Sequence, residues 1–192
     1  MMSLQKIHTR ASAQLGALRR LLLGLALLLT LSGCATAPTP ADYATQQPAL
    51  DLREYFSGTV DGWGVVQDRS GKVTRRFKVE IVCTWKGNEG VLDETFWWSD
   101  GKTEKRVWTI RKDGNRYTGT AGDVVGTAAG VAAGNALQWN YVLRLPPDLG
   151  GVDVNMDDWM WLIDADTLGN RTTMSKFGIR LAEITIFFRK RR

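Results

Sequence analysis

Phe77, Val79, Ile81, Cys83 and Trp85 alternate with Lys78, Glu80, Val82 and Thr84. An apolar period of two over nine residues is the pattern of a strand with one buried face. Turn-forming clusters recur at short intervals: "DRSGK" at 68–72, "KGNEG" at 86–90, "SDGK" at 99–102, "KDGNR" at 112–116 and "PPDLGG" at 146–151. The runs between them are rich in Val, Ile, Thr, Trp and Phe, so the pattern predicts successive antiparallel hairpins, about eight to ten strands in all. No segment after the N-terminus has a helical period. Evenly spaced strands in one domain favour a closed up-and-down barrel, which removes the exposed edges of an open sheet.

"DDWMWLIDAD" at 157–166 tests that reading. Side chains of a strand alternate between faces, which puts Asp157, Trp159, Trp161 and Ile163 on one face and Asp158, Met160, Leu162 and Asp164 on the other. Adjacent carboxylates that face apart are not a mutual acid–base pair, and strand-end or turn positions suit them. Apolar residues occupy both faces here, at Trp97 and Trp98, and at Ile186, Phe187 and Phe188. A half-wet strand should alternate cleanly, so something covers both sides of the wall. "GTAAGVAAG" at 126–134, with glycine at every fourth position, reads as a small-residue loop or strand that allows sharp bending or close backbone approach.

The chain ends change the picture. Lys6, Arg10, Arg19 and Arg20 precede a leucine-rich core from Leu21 to Leu31, the organisation of a secretory signal, and that core is shorter than the about 20 residues a spanning helix needs. The following "LSGC", Leu31 to Cys34, resembles the bacterial lipobox, which implies cleavage after residue 33 and lipidation of Cys34. Residues 34–50, rich in Ala, Thr, Pro and Gln, are expected to be a flexible tether, and residues 51–192 the barrel domain. The whole chain carries 25 basic and 20 acidic residues, +5 in all; the signal holds four of the basic residues and no acidic one, which leaves +1. The basic character therefore belongs to targeting and gives no support for nucleic-acid binding. Arg189 to Arg192, "RKRR", is a solvated tail or a contact for anionic headgroups.

His8, in the signal, is the chain's one histidine. Ser-His-Asp and Cys-His catalysis and histidine-ligated metals are thereby excluded from the mature domain, and no metal or cofactor is expected. Cys83 is left without a disulfide partner once Cys34 carries lipid.

"YFSGTVDGWGVVQDRSGKVTRRF" (55–77), "DVVGTAAGVAAGNALQWNY" (123–141) and "DDWMWLIDADTLGNRTTMSKFGIRLAEITIFFRK" (157–190) resemble the bacterial lipoprotein family catalogued as domain of unknown function 3833, over nearly the whole mature domain. Phe56, Gly58 and Trp63 are similar in part to the opening motif of lipocalin and calycin barrels, although Trp63 lies further from the glycine than in that motif. The resemblance implies a lipocalin-like barrel in which an arginine of the last strand, here Arg189, closes the structure against Trp63.

These readings converge on a lipid-anchored envelope protein whose barrel binds or helps handle a fatty acid or phospholipid. Trp63, Trp85, Trp97, Trp108, Trp139, Trp159 and Trp161 are the candidate cavity or rim residues. The alternative is a structural or assembly lipoprotein that docks on an envelope protein partner. An enzyme acting on lipids would need Asp123, Asp157 or Asp158 to converge with a polar nucleophile. Ala35 after the lipidated cysteine suggests, by resemblance to lipoprotein sorting, the outer membrane facing the periplasm.

Overall fold

The computed structural model describes residues 37–192; the signal, with its expected helix, and Cys34 lie outside the described residues. Ten strands follow one another: β1 (Gly58–Asp68), β2 (Val73–Lys86), β3 (Glu89–Trp98), β4 (Thr103–Asp113), β5 (Arg116–Thr120), β6 (Val124–Ala133), β7 (Ala136–Arg144), β8 (Asp153–Leu162), β9 (Thr167–Lys176) and β10 (Ile179–Lys190). Each pairs antiparallel with its neighbours in the chain, and β10 returns to β1, from Val60↔Lys190 to Asp68↔Ala182, to close the barrel. The turns fall where the Gly, Asp and Asn clusters predict them. Helix among the described residues is confined to one four-residue turn, α1 (Leu52–Tyr55), and two short 3-10 turns at Pro40–Tyr43 and Pro147–Leu149.

Strand parity fixes which residues point inward. Phe77, Val79, Ile81 and Cys83 of β2 are buried while Lys78, Val82 and Thr84 are not. Small residues then create space for large ones. An added Cβ at Gly130 of β6 would stand 2.4 Å from the Trp139 ring, so the glycine-rich stretch is a strand that makes room for an indole.

The two ends differ. At the floor α1 plugs the barrel, with Leu52, Tyr55 and Phe56 all buried. Asp51 caps the helix by accepting from Arg53 N (2.9 Å), an arrangement that satisfies an otherwise orphan backbone donor. Its carboxylate also accepts from the Tyr117 hydroxyl (3.2 Å) and pairs with Lys112. Trp85 Nε1 donates to the Phe56 carbonyl at 2.7 Å, and the Tyr55 hydroxyl donates to the Asp166 carbonyl at 3.0 Å. The turns β1–β2, β3–β4, β7–β8 and β9–β10 surround the other end, which is the mouth.

The compact unit begins at Thr39, so the boundary expected at Asp51 falls inside it. Residues 39–50 lie along the outside of the barrel: Leu50 N donates to the Gly134 carbonyl at 2.8 Å, and the Tyr43 ring sits 5.7 Å from Trp159 and 6.4 Å from Trp161. The physical reason is on β8, whose outward Trp159 and Trp161 stack at 5.9 Å and need cover. Gly134 makes the approach possible, since a Cβ there would lie 1.8 Å from the Tyr43 carbonyl oxygen and its φ is +52°.

Candidate functional site

Ten strands enclose more space than their inward side chains fill. The result is a cavity of about 1030 Å³ running from α1 to the mouth. Its floor is Leu52, Phe56, Ile81, Leu92 and Ile110, with Phe188 edge-on to Phe56 at 5.9 Å. Trp108 and Trp139 meet edge to face at 5.7 Å, and Tyr141 packs against Trp108 at 5.4 Å. On one side β10, β1 and β2 present Ile184, Ile186, Phe188, Val66 and Val79.

The other side is polar. β5 pairs only with Thr109–Asp113 of β4, so the mouth-side half of β4 faces the β5–β6 loop, and Arg106 bridges to that loop. Its Nε is 3.0 Å from both oxygens of Asp123 and its NH2 is 2.7 Å from Oδ2. The remaining nitrogen, NH1, lies 3.9 Å from Glu94 Oε2. Burial opposes the charge of the Arg106 guanidinium, but the hydrogen bonds with Asp123 and the nearby acids more than offset this and raise its pKa.

Glu94 is buried, 9% exposed, and burial pushes its carboxyl up to about 7 against the pull of Arg106; Asp123, Asp158 and Asp93 add to the rise. Asp158, 8% exposed, is likewise pushed up to about 7 by burial, with Asn170, Thr172 and Arg106 opposing and Asp157 assisting. Asn170 Nδ2 donates to Asp158 Oδ1 and to the Trp159 carbonyl (3.1 Å). Burial also raises the pKa of the Tyr141 hydroxyl, so it stays a neutral donor.

At the mouth Arg75 lies 3.8 Å from the Trp98 ring centroid and 2.9 Å from Asp100 Oδ2. Trp98 Nε1 is buried without a partner. Lys102 of the β3–β4 turn pairs with Asp148 of the β7–β8 loop, which ties that loop across the opening.

Of the tryptophans singled out from sequence, Trp108 and Trp139 line the cavity. Trp85 sits beneath it, bonded to the floor. Trp63 and Trp97 point outward and are 50% and 42% exposed, because Gly62, Gly64 and Trp98 take the inward positions beside them. Trp159 and Trp161 are also outward, under Tyr43. Trp63 and Arg189 are diagonal neighbours on the outer face: Trp63 is opposite Phe187, and Arg189 is opposite Asp61. Closure is made by the β1–β10 backbone ladder, and the guanidinium that does stack on an indole is Arg75.

The acids considered for catalysis do not converge. Asp123 is held by Arg106, and Asp157 faces outward and accepts from Gln138 Nε2 at 2.7 Å. Asp158 alone of the three is inward, in mid-strand instead of at a strand end or turn. Cys83 is buried and its thiol is pushed up to about 12 by burial, which keeps it protonated. Among the described residues no three His, Cys, Asp or Glu side chains gather as metal ligands.

Sequence reasoning missed Trp98, Glu94 and Arg106. The signal was parity: Glu94 lies between Leu92 and Phe96 on the inward face of β3, where a half-wet strand would place an apolar residue.

A closed antiparallel meander plugged at one end and hollow toward the other defines a lipocalin- or calycin-like barrel. Within that class the chain belongs to the family described as "Protein of unknown function (DUF3833)", which it matches over residues 28–190. No curated protein matches it in sequence. Among solved structures it is similar to a DUF3598-family protein of Nostoc punctiforme (TM-score 0.54, 12% identity, 82% of this chain and 53% of that one). The chain thus spans about half the length of that protein. It is also similar to Rv2717c of M. tuberculosis (TM-score 0.54, 15% identity, 77% and 99% covered) and to the S-type phycobiliprotein lyase of Guillardia theta (TM-score 0.52, 6% identity, 74% and 94% covered). At these identities the likeness is one of fold.

Proposed function

We propose that this protein is a lipid-anchored envelope carrier, held in the outer membrane through Cys34, whose barrel binds a hydrophobic molecule of the fatty-acid or phospholipid kind. The observation that carries this reading is the cavity of about 1030 Å³, at the upper end of the range for small-molecule sites, with an apolar floor and one mouth. Folding would gain more from a filled core, and a space of this size whose floor and one wall are apolar suits a ligand with an apolar chain. A phycobiliprotein lyase shares the fold, in keeping with a barrel that serves small molecules.

Two measurements test it. Labelled palmitate should enter the full chain and be lost in Cys34→Ala. A brominated acyl chain should quench the fluorescence of the cavity tryptophans, Trp98, Trp108 and Trp139; unchanged emission at saturating probe would overturn the carrier reading. A second reading, docking on an envelope protein, is favoured by Trp63 and Phe187, which face each other across β1 and β10 and are 50% and 59% exposed.

A further inference from the structure

The cavity's polar groups are unlike those that would receive a fatty acid. An incoming carboxylate needs a free cation or several free donors. Arg106, the cation within the barrel, has its fork occupied by Asp123 and its remaining nitrogen turned to Glu94. Arg75 at the mouth has its charge paired with Asp100 at 2.9 Å and its plane stacked on Trp98. The lining's other free donors, Trp98 Nε1 and the Tyr141 hydroxyl, are neutral and single, whereas at mid-depth three acids, Glu94, Asp123 and Asp158, face one guanidinium. Among the described residues nothing hydrogen-bonds to Glu94, whose carboxylate lines the cavity with Arg106 at 3.9 Å its nearest counter-charge. Asp158, also in the lining, has its Oδ1 occupied by Asn170, and the Thr172 hydroxyl is its one other donor. Leaving acceptors unpaired in a buried site is costly, and a ligand that donates to them removes that cost.

Resting on the carrier reading, we propose that the ligand is an amphiphile whose polar group is a protonated amine, held between Glu94 of β3 and Asp158 of β8 while its chain lies along Ile184, Ile186 and Phe188. Free fatty acids are disfavoured by the same two acids. Glu94 and Asp158 face each other from strands five apart in the ten-strand barrel and Glu94 feels the charge of Asp158, so an ammonium between them donates a charge-assisted hydrogen bond to one and is held by the charge of both. The charged and titratable groups facing this point are Arg106 and Asp123 beside Glu94, and Tyr141 beside Asp158, with Asp93 and Asp157 behind the wall. Both acids are held near neutrality, so amine binding favours their ionised forms and releases protons. An alkylamine keeps its charge throughout this range, as a lysine does with a pKa of about 10.4. Amine affinity should therefore rise from pH 6 to pH 8.

The test uses the full chain loaded with Nile red and displaced by dodecylamine, dodecanol or dodecanoate. At pH 8 the amine should displace the dye at least about tenfold more tightly than dodecanoate, the least that a charge-assisted hydrogen bond contributes. That preference should shrink at pH 6 and vanish in the Glu94→Gln/Asp158→Asn double variant, whose binding of dodecanol reports that the barrel is intact. Equal or tighter dodecanoate binding, or an amine preference that survives the double variant, overturns this inference and leaves the carrier reading standing. Failure of the wild-type chain to take up Nile red or any of the three competitors overturns both.

Discussion

The barrel has two unlike inner walls. β10, β1 and β2 are apolar from the floor almost to the mouth, where Arg75 interrupts them. β3, β4, β7, β8 and β9 carry Glu94, Arg106, Tyr141, Asp158, Asn170 and Thr172 at mid-depth. Both walls have the same antiparallel ladder, so the difference lies in side-chain chemistry alone. An apolar wall supplies affinity in proportion to area and has no preference for a ligand's direction. A wall with unpaired acceptors fixes which end of the ligand stops where. The pair together makes an oriented site, which neither wall would be alone.

The largest expected effect comes from filling the apolar wall. Ile186→Trp projects an indole into the cavity and should abolish uptake of the brominated chain, with Tm retained; uptake at wild-type affinity would place the ligand elsewhere. Next is the polar wall. Arg106→Met leaves Asp123 and Glu94 without their counter-charge, and urea unfolding should show a loss of about 2–3 kcal/mol, below the cost of breaking a fully buried pair because the Asp123 side chain is 39% exposed.

A smaller effect distinguishes the walls by pH. Glu94 and Asp158 have folded pKa values raised to about 7 from 4.5 and 3.8. The folded state holds their protons where the unfolded chain has lost them, so the stability they confer is full at low pH and lost as pH rises through 7. Tm in the empty protein should fall between pH 5 and pH 8, and Glu94→Gln/Asp158→Asn should flatten the slope. An unchanged slope in that variant would show that the polar wall does not titrate as described. The smallest effect lies outside both walls: Tyr43→Ala should cost about 1 kcal/mol and red-shift the emission of Trp159 and Trp161 while leaving uptake intact.

Much of the scaffold was legible in the sequence, because period-two alternation and the Gly-Asp-Asn turn clusters are local signals. The parity of residues 157–164 could also be read, with Asp158 and Met160 opposite Trp159 and Trp161. Which parity faces inward could not, since both are apolar. The outward tryptophans of β8 are covered by Tyr43, from a segment whose composition suggests a tether. The position of Trp63 depends on Gly62 and Gly64, whose missing side chains admit Phe188, Val79 and Phe77 from neighbouring strands. That is information about packing between strands, which a single strand's pattern lacks. Glu94 and Asp158 were hidden for a related reason: a carboxylate beside another carboxylate looks like surface until the barrel closes around it.

Whether the cavity holds a ligand is tested most directly by native mass spectrometry of the full chain purified from its own host. One small molecule should be bound per chain and be recovered by organic extraction. A chain whose mass is accounted for by its covalent structure alone, with nothing bound, would contradict a ligand-holding cavity.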